Sequence, residues 1–126
     1  MSYSADVCSY LYREIPAGWD CESYQELIEK RIIESTGNNT DFGWLMRSKG
    51  ILSIEPGFIE QFDDDKLQEE MKVLAKMGFT GDVYIVDEYK KYYMYNIDVK
   101  DDKLLLTTKW GTITYDEKAP VEEEIT

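Results

Sequence analysis

Histidine is absent from this chain of 126 residues, and cysteine occurs only twice, as Cys8 and Cys21. Without histidine there is no Ser–His or Cys–His couple, and the side chain that most often moves protons near neutral pH is missing. Two cysteines with no histidine do not make a zinc ligand set. The opening residues, MSYSADVCSYLYREIP, carry neither a basic start nor a long apolar run. No secretion signal and no membrane-spanning helix is therefore expected, and the expected compartment is the cytoplasm. In that compartment the two cysteines are expected as free, buried thiols rather than a bridge. Among the eight glycines neither GxGxxG nor GxxxxGK[ST] occurs, which removes the loops that cradle phosphates.

Positive charge is also scarce. Fourteen Lys and Arg face 26 Asp and Glu, a formal charge of −12. A surface that grips nucleic-acid phosphates has to be basic somewhere, so direct nucleic-acid binding is not expected. An anionic membrane surface is disfavoured for the same reason. The partner such a charge favours is a basic protein, and solubility is its other use.

What the chain does contain is enough apolar material for one core, with 43% hydrophobic and 13% aromatic residues. The organising stretch is 82–115, DVYIVDEYKKYYMYNIDVKDDKLLLTTKWGTITY. Runs rich in Val, Ile, Thr, Tyr and Leu are separated by short charged or Gly-containing breaks, the pattern of consecutive antiparallel strands. In 82–87, Val83, Ile85 and Asp87 point one way and Tyr84 and Val86 the other, so the strand is expected to be central. In 92–99, Tyr93, Tyr95, Ile97 and Val99 share one face and Tyr92, Met94, Asn96 and Asp98 the other. Leu104, Leu106 and Thr108 mark a third strand, 103–109. Trp110-Gly111 reads as a break, and 112–115 as a fourth strand carrying Ile113 and Tyr115.

Two main helices are expected ahead of this meander. One runs over about 23–35: Ser23-Tyr-Gln-Glu26 is a capping-box pattern, Tyr24, Leu27, Ile28 and Ile32 form the apolar stripe, and Gly37 stops it. The other opens at Asp63-Asp64-Asp65, carries Leu67, Met71, Leu74 and Met77 on one face and stops at Gly78. Residues 3–15 read as a strand, or as a helix capped by Ser4; the strand is preferred. Phe42, Trp44, Leu45 and Met46 are expected in a short helical turn capped by Asp41, 51–54 as an edge strand, and Phe58, Ile59 and Phe62 in another helical turn. The fold class is α+β: an antiparallel meander of about four strands, with an N-terminal strand as a fifth, and two helices on one face. Residues 1–116 form the expected domain and 117–126, with Glu122-Glu123-Glu124, an acidic solvated tail.

Candidate chemistry is thin. Asp63, Asp64 and Asp65 lack the spacing of a calcium loop, and helix capping explains them more simply. Asp87-Glu88 and Asp101-Asp102 fall at expected hairpin turns. A glycosidase-like carboxylate pair would need a cleft that so short a chain can barely build. The chain is read as non-enzymatic, with no cofactor and no metal. Its distinctive feature is tyrosine beside carboxylate, and tyrosine offers large, rigid, amphipathic contact area. The candidate partner-binding residues are Tyr84, Asp87, Glu88, Tyr89, Tyr92, Tyr93, Tyr95, Asp98, Asp101, Asp102 and Trp110. Strand propensity alone also enriches tyrosine, which is the plainer account of the same residues.

In size and acidity the chain is similar to small immunity proteins against nuclease toxins and to phage-encoded antagonists of bacterial defence nucleases. The similarity is one of bulk character, with no motif matched residue by residue. The expected function is inhibition of a basic, nucleic-acid-handling protein such as a nuclease. The alternative is a structural or adaptor domain, homodimeric through a sheet edge or the tyrosine face.

Overall fold

Ten residues of alternating character, Tyr3–Tyr12, form the first strand, β1, and the rest of the sheet is laid out from it. The computed structural model describes residues 3–40, 42–55, 57–112 and 119–126. In chain order the further elements are α1 (Cys21–Thr36), β2 (Trp44–Arg47), β3 (Ile51–Ile54), β4 (Phe58–Phe62) and α2 (Asp64–Lys76). They continue as β5 (Thr80–Asp87), β6 (Lys91–Lys100), β7 (Lys103–Thr112) and β8 (Val121–Glu124). The class is α+β, but among the described residues the antiparallel sheet has eight strands rather than about four, in the order β2-β3-β1-β5-β6-β7-β8, with β4 also on β1.

β1 pairs along one edge with β5, from Ala5 opposite Asp87 to Tyr12 opposite Thr80. Its other edge is shared. Leu11 and Tyr12 meet β3, while Ala5 and Asp6 meet Ile59 and Phe58 of β4. Where the two partners part, Val7 N–H donates to Gly57 O at 2.9 Å, and Ser9 Oγ accepts from Ile54 N–H at 2.8 Å. A serine among apolar inward positions is thus explained by a backbone donor that the ladder leaves over. β5 lies so close to β1 that a Cβ on Gly81 would meet Tyr10 O at 2.2 Å, and Gly81 has φ +130°.

Both helices cover one face of this sheet. α1 contributes Tyr24, Ile28 and Ile32, and α2 contributes Leu67, Met71 and Leu74, spacings of three and four that set each stripe towards the sheet. Beneath them lie Leu11, Leu52, Val83, Ile85, Tyr95, Ile97 and Leu106. α1 begins earlier than the Ser23 box implies. Asp20 is the N-cap, accepting from Ser23 N–H at 2.8 Å while Ser23 Oγ accepts from Asp20 N–H. The hydrogen bond from the Ser23 backbone holds the Asp20 carboxyl below its usual range. The expected stop is found, with Gly37 left-handed at φ +80°. α2 is capped by Asp63, which accepts from Asp65 and Lys66 N–H; this is the capping role expected of the acidic run.

Several local expectations are corrected. Phe42 is buried, but Trp44 to Met46 are strand rather than helix; Asp41 lies outside the described residues. Trp44 and Met46 go inward and Leu45 and Arg47 outward, and β3 supplies the hydrogen bonds. β3 is therefore not an edge, since β2 and β1 flank it. Phe58, Ile59 and Phe62, expected in a helical turn from their i, i+1, i+4 spacing, lie in a strand instead: Phe58 is exposed, and Ile59 and Phe62 are buried. Ile59 and Phe62 share a face of that strand because the register shifts between Tyr3 and Ala5 of the partner, a bulge that imitates helical spacing. Trp110-Gly111 is no break: Trp110 lies opposite Tyr93 and Gly111, buried, opposite Tyr92. Of the fourth expected strand, Thr112 ends β7, and 113–115 lie outside the described residues. The expected tail is partly structured: β8 pairs with β7, Lys72 Nζ of α2 meets Glu123 at 3.0 Å, Ile125 N–H donates to Leu104 O at 2.7 Å, and Ile125 is buried. Among the described residues no helix is long and apolar enough to cross a membrane.

Candidate partner-binding surface

Helices cover one side of the sheet, and the strand period sends every second side chain to the other. The register arranges these outward side chains in rows running across the strands. One row is Phe58, Asp6, Val86, Tyr92 and Gly111; the next is Cys8, Tyr84, Met94 and Lys109; the third is Tyr10, Asp82, Asn96, Thr107 and Glu122. With strands about 4.8 Å apart, a five-strand row spans roughly 20 Å. Large side chains stand well out of this face: Tyr10 is 59% exposed, Phe58 47%, Tyr12 43% and Tyr84 42%. No described segment covers them, which is unusual for so much aromatic surface.

The charge on this face is uneven. The outward positions of β1 are Asp6, Cys8, Tyr10 and Tyr12, and those of β5 are Thr80, Asp82, Tyr84 and Val86, with no lysine or arginine among them. Asp82 accepts from Asn96 Nδ2 at 2.9 Å, which fixes its carboxylate beside Tyr10. Among the described residues of the sheet, cations on this face lie towards the flanks, as Arg47 on β2, Lys103 and Lys109 on β7 and Lys100 at the end of β6; Arg47 pairs with Glu55 and Lys100 with Glu122.

The candidate residues fall into separate groups. Tyr84 is on the outer face, with half-buried Tyr92 and exposed Asp98 on neighbouring β6. Glu88 and Tyr89 are exposed in the β5–β6 turn. Asp101 and Asp102 are exposed in the two-residue β6–β7 turn, both at positive φ (51° and 62°), as a tight hairpin of this kind demands. These turns sit at opposite ends of the ten residues of β6, about 33 Å apart by strand rise, too far for one small patch. The remaining four point inward. Asp87 is buried and accepts from Tyr89 and Lys91 N–H, so it organises the turn. Trp110 is half-buried against the core, and Tyr93 and Tyr95 are buried.

Tyr93 and Tyr95 stack with ring centroids 6.4 Å apart, and Tyr93 meets Phe62 edge-on at 5.0 Å. The Tyr95 hydroxyl donates to Asp64, which also accepts from Gln68 Nε2 at 3.1 Å. Burial, reinforced by the Asp64 charge, raises the Tyr95 phenol far above its usual range, and burial also raises Tyr93. Beside them is a cleft of about 460 Å³ lined by Phe62, Asp63, Asp64, Asp65, Lys91, Tyr93 and Trp110. It joins carboxylates and rings, yet Asp63 is engaged as a cap, Asp64 by Tyr95, and Lys91 Nζ already lies 5.2 Å from the Tyr93 ring centre. Among the described residues no group of three or more acidic or cysteine side chains could hold a metal.

Sequence reasoning missed Tyr10, Tyr12, Phe58, Asp6 and Cys8. The alternation in 3–15 was the available signal for four of them. Joining it to Tyr84 required the β1–β5 register, and Phe58 was hidden by the bulge. Both thiols are free, as expected, but Cys8 is exposed on the outer face rather than buried. Comparison with known proteins returns no match to a family model, a curated protein or a solved structure.

Proposed function

We propose that this is a non-enzymatic binding protein that seats the outer sheet face on a basic protein and blocks the partner's phosphate-binding surface, as an immunity or counter-defence protein does to a nuclease. The observation that carries this reading is the uncovered centre of the sheet. There Tyr10, Tyr84, Tyr12 and Phe58 are exposed around Asp6 and Asp82, with no cation on the outward positions of β1 or β5. Aromatic side chains supply contact area and a favourable face for Arg or Lys, and the carboxylates supply complementarity. The charge of −12 steers a cationic partner in from a distance. The carboxylates of the two turns, Glu88 and Asp101-Asp102, contribute to that long-range field rather than to the contact.

Self-association is the second reading, because the same aromatic face could cover itself. Asp6 and Asp82 weigh against it, since stacking two outer faces would bring like charges together. Edge-to-edge pairing is opposed by Glu122, Glu123 and Glu124 on β8, while at the other edge Gln25 of α1 accepts from Met46 N–H at 2.9 Å. The test is capture from the native source at low and moderate salt, followed by assay of the captured protein's activity with and without this chain. Salt-sensitive capture and inhibition of a basic protein, lost in Tyr10→Ala and Tyr84→Ala, is the expected result. Salt-indifferent capture, or a tight dimer in sedimentation that persists without partner, overturns it. Because Cys8 sits opposite Tyr84, its alkylation should slow at least several-fold in the complex while Cys21 is unaffected.

A further inference from the structure

In a molecule with almost twice as many acids as bases, one groove reverses the balance. It lies in the helix layer, on the other side of the sheet from the outer face, and has a volume of about 480 Å³. Its charged lining is Arg13, Arg31 and Lys76 against the single carboxylate of Glu34. Its floor is apolar, made by Leu27 and the ring of Tyr24 from α1 and by Met77 just beyond α2. We infer that this groove binds a small amphipathic anion, a compact apolar body bearing one negatively charged head. The inference is independent of the outer-face reading.

Three features support it. Arg13 follows β1 and is held in place: its Nη1 donates to Tyr24 Oη at 2.9 Å and to the Met77 carbonyl, and its guanidinium carbon is 5.5 Å from the Tyr24 ring centre. Its Nε donates to Glu14 O at 3.2 Å, which leaves Nη2 without a hydrogen-bond partner among the described residues. A half-buried guanidinium fixed on one side and open on the other is preorganised for an anionic head. Lys76 has no ion-pair partner among the described residues, and the Arg31–Glu34 pair at 3.4 Å is solvent-exposed and weak. The volume falls within the range of small-molecule sites, which are mostly apolar with a few placed polar groups. The plainer use of Arg13 and Lys76 is to offset the negative C-terminal end of α2, but that accounts neither for the apolar floor nor for Arg31. A free amphiphile, not a lipid within an anionic bilayer, is the fitting source, because the net charge opposes approach to such a surface.

The probe is decanoate below its micelle concentration, titrated calorimetrically at fixed ionic strength, with decanol and decyltrimethylammonium as controls. Saturable one-to-one binding of decanoate is expected, with decanol at least tenfold weaker and the cation not bound. Arg31→Gln/Lys76→Gln alters only exposed charges and should fold normally by circular dichroism, yet lose at least tenfold in decanoate affinity. Tyr10→Ala/Tyr84→Ala should bind decanoate as the parent does, which separates this site from the outer face. Equal affinity for decanoate and decanol, undiminished binding by the Arg31/Lys76 variant, or no saturable binding overturns the inference.

Discussion

The two faces of β5 and β6 are built from the same residue types and meet opposite fates. Inward, Tyr93 and Tyr95 stack under α2, and the Tyr95 hydroxyl is committed to Asp64. Outward, one position away, Tyr84 is exposed and Tyr92 half-covered. The acids divide in the same way, with Asp87 organising a turn from within and Asp82 standing on the open face. A tyrosine or an aspartate in this chain is thus structural or available according to the parity of its position. The reason is that, among the described residues, helices supply a second layer on one side.

The sharpest way to test that contrast is to truncate across it. Ile85→Ala, under the helices, should cost about 2–5 kcal/mol in denaturant unfolding, and Tyr84→Ala, its immediate neighbour, no more than about 1 kcal/mol. Equal losses would mean that the outer face is covered. In binding the ranking should invert: Tyr10→Ala and Tyr84→Ala should each weaken the basic partner by about 2 kcal/mol, read by titration, while leaving the unfolding midpoint nearly unchanged. Tyr95→Phe keeps the ring and removes the donor to Asp64, for an expected loss of about 1–3 kcal/mol.

The same substitution changes the alkaline limb. The folded state holds the Tyr95 proton well above the phenol's ordinary range, so its contribution is complete below pH 10. Above that the unfolded chain ionises first, and stability falls by up to about 1.4 kcal/mol per pH unit for this group. Denaturation series between pH 9 and 11.5 should show a shallower decline in Tyr95→Phe; an unchanged slope would place the phenol in water. The smallest effect is expected from Asp6→Asn with Asp82→Asn, a several-fold slower association at low salt that vanishes at high salt.

Much of the framework is legible in one dimension. Val83, Ile85, Tyr93, Tyr95 and Ile97 alternate strictly, and Gly37, Asp63 and Gly78 punctuate the helices by local chemistry that needs no distant partner. The errors share a different cause. β2 is a strand because β3 lies beside it, and β4 deceives because a bulge sets Ile59 and Phe62 on one face at helical spacing. Residues 121–124 look like tail because β8 is acidic and exposed, and only its pairing with β7 makes it a strand. The candidate surface was legible to the extent that 82–99 contains outward tyrosines. Its β1 half was not, because the placing of Cys8 opposite Tyr84 in one row is a matter of register, not of neighbourhood in sequence.

The amino-acid sequence alone settled the charge, the lack of histidine chemistry, and the period of the main strands and helices, since each depends on residue identity or on neighbours a few positions away. The tertiary structure decided which face of each strand the helices cover, and so which tyrosines and aspartates stay in contact with water. It also brought Arg13 to the end of α2, 64 residues along the chain. Those outcomes depend on pairing between distant segments, where the shift of a single residue exchanges inside for outside.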